Sequence, residues 1–421
     1  MVNANDFTGK TDNEIIQKAI DNRGDDGIVA ISARRNFNGE NRNYWLLDKA
    51  ITLPQNTTVI IRNCKIKLSD KCRDNFFRTA NCGFGIDEPA EICNIHITGE
   101  GNAFLEGAEH PRSTGDSSKT LACPCPYFDE DLIKYADWVS EDRKQSGKLN
   151  FYDKHSHTYG TDAGKDGESQ CGDWRNIGIL FANARDFSIE NIKIVCSHGW
   201  GISLEACSCG KIRNIEFAAN MSKEIDGMLH NIENQDGIDL RNGCHDIVIS
   251  DIFGETGDDV IALTAIARKS AVHQGGSLRS THVMSNDWDR RETGIKNIII
   301  RNVIAKSSLC AVVRLLPALA EIKNIVIDGV IDLSDGKTWT TLLLGEEDSA
   351  YGENTVNGLS NIAISNVICN SGFAVLIGGY LKDSVLTNII NNNTNCPTIK
   401  TERESAMINV SISNVVGGME K

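Results

Sequence analysis

The chain has no apolar run long enough to span a bilayer, which excludes a helical membrane protein. Its N-terminal stretch, MVNANDFTGKTD, has no apolar core of a secretory leader. It has no excess of basic charge: 57 acidic residues face 43 basic ones, a formal net charge of −14. That balance excludes the function classes that bind polyanions through their overall charge, nucleic acid and anionic membrane surfaces among them. It also has no C-x-x-C pair at zinc-finger spacing. Cys123-Pro-Cys125 and Cys207-Ser-Cys209 are C-x-C, so no metal site and no cofactor is expected.

Cysteines themselves are plentiful, 14 in all. Cys64, Cys196, Cys244, Cys310 and Cys369 stand in strand-like runs, where a free thiol behaves as a small hydrophobe. With no leader, this points to a reducing cytoplasm, or to secretion if a leader has been removed.

A repeat organises the chain. The form N-[IV]-x-[IV]-x-[NDG]-[IV] appears as Asn297-IIIRNV, Asn324-IVIDGV, Asn361-IAISNV and Asn409-VSISNV, with weaker copies from Asn94, Asp186, Asn214, Asp246 and Asp383. Many successive copies start 22 to 28 residues apart, as from Asn297 to Asn324 and from Asp383 to Asn409. Period-two alternation inside a unit of that length is one coil of a parallel β-helix. Leucine-rich repeats have a similar period but need a leucine consensus that is missing. The expected architecture is all-β, a right-handed parallel β-helix over 1–421 as one domain, with coils from about Trp45 to Val416. The recurrent Asn residues suggest amide ladders at the corners, although turn preference alone explains an Asn there.

Thr11 to Asp21 reads as a helix. Thr11 can cap it, Glu14 stands three residues on, and Ile15, Ile16, Ala19 and Ile20 share one face. Such a helix would cover the open end of the first coil. Two stretches break the rhythm: an excursion at 107–173, rich in charge and aromatics, and a shorter one at 264–293. Either could wall off one end of a cleft, with Tyr127, Trp138, Tyr159 and Trp288 suited to stacking on sugar rings. Either could instead build an interface between copies of the chain.

The chemistry is concentrated in Asn234 to Leu263, NQDGIDLRNGCHDIVISDIFGETGDDVIAL. Asp258 stands 22 residues after Asp236, about one coil, and stacked strands lie roughly 4.8 Å apart. Carboxylates one coil apart would therefore act as a unit, and among clustered like charges one carboxyl is expected to stay protonated. Asp239, at an odd spacing from Asp236, is expected to point elsewhere.

NQDGID followed by GDDVIAL resembles the NTDGID…GDDCIAI pair of the polygalacturonase-like glycoside hydrolases of family 28. The run RNIGILFANARDFSIENIKIVCSHGWGISLEAC, Arg175 to Cys207, is similar to the segment that leads into that family's site. The resemblance covers roughly Arg175 to Pro317. It implies a general acid at Asp258, with Asp236 and Asp259 holding and deprotonating a water, and hence inversion at the anomeric carbon. It implies substrate contacts from Asn234 and from Arg314, in place of the family's Arg-Ile-Lys. There the sequence departs: Leu316 stands where the Lys is expected, so the neighbouring sugar is either neutral or a uronate whose carboxylate is met by Arg268, Lys269 or Arg290 of the second excursion. The Gly-His-Gly turn is also missing, and His198, His273 and His282 are the candidates for its imidazole.

The expected function is thus an inverting glycosidase on pectin-like or related oligosaccharides, acting from a chain end. The rivals are a β-helix polysaccharide lyase or inulin-fructotransferase-like enzyme, separable by chelator sensitivity, and a non-catalytic carbohydrate-binding β-helix, separable by an Asp258→Asn protein that behaves like the parent.

Overall fold

The computed structural model describes residues 1–35, 39, 41–70, 72, 74–83, 86, 89–109, 177–197, 199–219, 222–225, 228–231, 235–266, 292–346, 353–403 and 406–418. The chain is a right-handed parallel β-helix with one short N-terminal helix. Its residues group into two compact units.

The first unit carries the helix and the opening strands. Ile28–Ser32, Thr57–Leu68, Ile92–Glu106 and Ala184–Val195 are parallel neighbours in that order. A second sheet takes Ile51–Leu53, Phe77–Thr79 and Ile179–Ala182. Pairing thus begins before Trp45, the residue where the sequence suggested the coils start.

The helix spans Asp12–Asp21. Thr11 Oγ1 accepts from the Glu14 N–H at 3.3 Å, while the Glu14 carboxylate reaches back to the Lys10 N–H at 2.7 Å. Ile15, Ile16, Ala19 and Ile20 are buried, as their spacing predicts. The polar face has a second task. The Gln17 amide accepts from the Thr52 N–H at 2.9 Å and donates to the Thr52 carbonyl at 3.2 Å, as a neighbouring strand would. Ile51–Leu53 is the last strand of its sheet, so Gln17 satisfies an edge that would otherwise be open. Asp12 accepts from the Leu46 N–H at 2.8 Å and pairs with Arg34 at 3.0 Å.

The second unit repeats one coil. His245–Thr256, Ile295–Ser307, Ile322–Asp332, Leu359–Cys369, Leu381–Asn391 and Met407–Gly417 stack in parallel register. Ile238–Leu240, Ile261–Ile266, Ala311–Ala318, Thr340–Leu344, Phe373–Ile377 and Ile399–Thr401 form the other sheet. Alternation places Ile247, Ile298, Ile325 and Ile362 in one buried column and Ile249, Ile300, Ile327 and Ile364 in the next. Each such side chain contributes roughly 1.5–3 kcal/mol by leaving water.

Each long strand of the second unit bends at two left-handed residues five apart, such as Asn297 and Asn302, with φ of 57° and 55°. Asparagine tolerates that region better than other residues bearing a Cβ. The bends also carry ladders: Asn297 donates to Asp246 at 2.7 Å, Asn324 to Asn297 at 2.9 Å and Asn361 to Asn324 at 3.0 Å. A parallel ladder runs from Asn302 to Asp251 and from Asn414 through Asn388 to Asn366. Turn preference and ladder therefore act at the same residues.

Candidate functional site

Ile238 pairs with Ile261, and the register extends backward through bonds from Gly237 N–H to the Asp259 carbonyl and from Ile238 N–H to the Val260 carbonyl, both 2.9 Å. Asp236 therefore stands one coil from Asp259, not Asp258 as the 22-residue spacing suggested. The next coil follows: Val260 donates to the Ala311 carbonyl at 3.1 Å, and Ala262 pairs with Arg314.

Asp259 is held on both oxygens. The Ala311 N–H donates to Oδ1 at 3.1 Å, and Arg314 Nη1 donates to Oδ2 at 3.2 Å. Arg314 Nη2 donates to Glu346, just past the Thr340–Leu344 strand. Asp258 is fixed through its backbone, whose carbonyl accepts from Thr256 Oγ1 at 2.7 Å. A carboxylate oxygen of Asp258, one of Asp259 and the Cys310 sulfur all lie within 4.8 Å of one another. Asn242 bonds both the N–H and the carbonyl of Ile266, each at 2.7 Å, and so ties down the end of the Ile261–Ile266 strand.

The carboxylates are buried rather than displayed on an exposed cleft: Asp236 is 7% exposed, Asp258 2%, and Asp239 and Asp259 1% each. Asp239 corrects a sequence expectation. It does not point elsewhere but interacts electrostatically with Asp258, Asp259, Arg241 and Arg314. Burial raises its pKa well above the usual carboxylate range; Arg241 opposes the rise, and the charges of Asp259 and Asp258 add to it. The small Ala262 separates Asp239 from Arg314 in the register column. Burial, with the Asp259 charge beside it, pushes the Cys310 thiol far up, so it stays protonated.

The sequence-named residues divide as follows. Asp258, Asp259 and Arg314 are brought together, with Asp236 on the adjacent coil. Leu316, where a lysine was expected, is buried and pairs with Thr264. Asn234, His198, His273 and His282 lie outside the described residues, as do 110–176 and 267–291, which hold most of both excursions. Cys310 was read only as a thiol in a strand-like run, and Glu346 and Arg241 were not singled out. Glu346 has no motif around it, and only its place one coil beyond Arg314 could have marked it.

No family model and no curated protein sequence matches the chain. Solved structures do. The polygalacturonase of Erwinia carotovora is similar with a TM-score of 0.54 and 14% identity, over 99% of this chain and 95% of that one. An exopolygalacturonase from Thermotoga maritima is similar with a TM-score of 0.54 and 15% identity, over 98% and 91%. A tailspike protein mutant of E. coli bacteriophage HK620 scores 0.55 with 14% identity, over 99% of this chain and 67% of that one. The chain has the parallel β-helix fold that these polygalacturonases and the tailspike share. What these neighbours share with the chain at such identity is the fold.

Proposed function

We propose that the chain is an inverting glycoside hydrolase acting on pectin-like or related oligosaccharides from a chain end. The observation that carries this reading is the backbone register that stacks Asp236 against Asp259, with Asp258 beside them. Asp258 is the general acid that protonates the leaving oxygen. Asp236 and Asp259 take the water on the other face. Both Asp259 oxygens accept hydrogen bonds, which suits a carboxylate that positions water rather than one that donates a proton.

The test is reducing-sugar release from a panel of pectic and neutral oligosaccharides by the parent and by Asp258→Asn. Loss of the general acid lowers kcat by roughly 10²–10⁴-fold with little change in KM. Equal rates for parent and variant on every cleaved substrate would sink the assignment and favour a non-catalytic carbohydrate-binding role. A single short product from the first turnover supports end-wise attack, whereas an early ladder of lengths refutes it. A chelator separates the lyase reading. Calcium takes oxygen ligands, and the cluster offers a thiol and an Asp259 already bonded to Arg314. Activity is expected to survive the chelator.

A further inference from the structure

Resting on the hydrolase reading, we infer that the subsite at Arg314 takes an uncharged sugar and rejects a uronate. The two outermost charged groups of the cluster are Arg314 and Glu346, whose side chains are 19% and 23% exposed. A ligand that reaches the carboxylates from solvent meets this pair. Arg314 is already shared as an anion clamp, because one terminal nitrogen donates to Asp259 and the other to Glu346. The guanidinium's planar fork suits a sugar carboxylate only if its two terminal nitrogens are open to it. Here protein carboxylates already occupy both positions.

The surrounding charge acts in the same direction. Arg314 is shared by two carboxylates, and Asp239 lies within its electrostatic reach. Among the described residues of the cluster, even with Asp239 and the general acid Asp258 protonated, Asp236, Asp259 and Glu346 outnumber Arg241 and Arg314. Among the described residues, the side chains beside Arg314 on its own and the next strand bring no compensating cation. Leu343 is its register partner, and Leu316 follows two residues on along the same strand face. An incoming carboxylate would thus have to compete with Asp259 and Glu346 for Arg314, beside charges of its own sign. A neutral hydroxymethyl group carries no such penalty, and its hydroxyl can donate to the outer carboxylate, Glu346.

Glu346 is therefore a specificity-determining residue. The chemical probe is a matched pair, trigalacturonate and its carboxyl-reduced counterpart, which differ only in the charge at C6. Turnover of both is followed by product release, and binding of both to the Asp258→Asn protein by calorimetry. The reduced trisaccharide is expected to bind at least about tenfold tighter at low salt, a like-charge effect. Glu346→Gln should raise uronate affinity several-fold and leave the neutral sugar within about twofold, since only the anion competes for Arg314. Uronate binding tighter or equally well in the parent would overturn the inference, as would a Glu346→Gln protein with an unchanged ratio. Binding and turnover answer separate questions. Uronate cleavage with tight uronate binding keeps the hydrolase and removes the neutral subsite. Selective neutral binding without turnover keeps the subsite and removes the hydrolase.

Discussion

Asp239→Asn is expected to stabilise the protein at neutral pH while removing an acid from its core. The side chain is buried, and its Oδ2 has no hydrogen-bond partner among the described residues. Its pKa in the folded state is raised, chiefly by burial, against an unfolded value of about 3.9. A raised carboxyl favours folding fully only below the unfolded value; that favour is lost as pH climbs through the folded pKa. Above that window the parent carries the cost of a buried carboxyl beside Asp258 and Asp259. Asparagine has the same shape and no charge. What the substitution recovers is the linkage cost, about 1.4 kcal/mol for each pH unit between the unfolded pKa and the lower of the folded pKa and the working pH. Urea unfolding followed by circular dichroism at a series of pH values measures it. The variant should gain on the parent from the ordinary carboxylate range upward, and the two should converge at lower pH. A variant less stable than the parent at pH 7, or a difference independent of pH, would mean that Arg241 and Arg314 hold Asp239 as a stabilising anion, and the reasoning fails.

Two further substitutions test the scaffold. Asp12→Asn leaves Arg34, a side chain 1% exposed, without its anion, and should cost about 3–5 kcal/mol in urea melts; a loss below 1 kcal/mol would show the pair is solvated. Asn324 has φ of 57° and gives and takes a ladder bond, so Asn324→Gly isolates the ladder, while Asn324→Ala adds about 1–2 kcal/mol of left-handed strain. Equal losses in the two would show that the ladder alone explains the asparagine.

The solenoid was legible because its corners and its core obey one short repeat. Asn297, Asn324 and Asn361 announce the bends, and the isoleucines between them announce the inward face. The cap was legible from Thr11 and Glu14, but the use of Gln17 as a surrogate strand was not, since nothing local distinguishes it from a solvated helix residue. In the site, counting residues misled twice. Asp236 and Asp259 precede their strands, Ile238–Leu240 and Ile261–Ile266, so the parity that relates residues inside a strand does not carry back to them. Asp239 was misjudged by that parity. The pairing of Asp236 was misjudged because motif spacing does not fix register; the Gly237 to Asp259 hydrogen bond does. Arg314 was found by resemblance, yet its second partner, Glu346, lies 32 residues away on another coil.

The corner asparagines also bear on how such a chain can change over generations. Along one ladder the partners are separated by 51, 27 and 37 residues, yet each amide meets its neighbour at 2.7–3.0 Å. The coil's contour length is thus uncoupled from its stacking. An insertion between corners alters what hangs from the solenoid without shifting the residues above or below it. Arg268 to Arg291 falls inside the longest of these intervals, between Asp246 and Asn297. Selection can therefore lengthen or shorten the chain between corners while Asp259 and Arg314 keep their places, so that change can come by indel as readily as by point mutation.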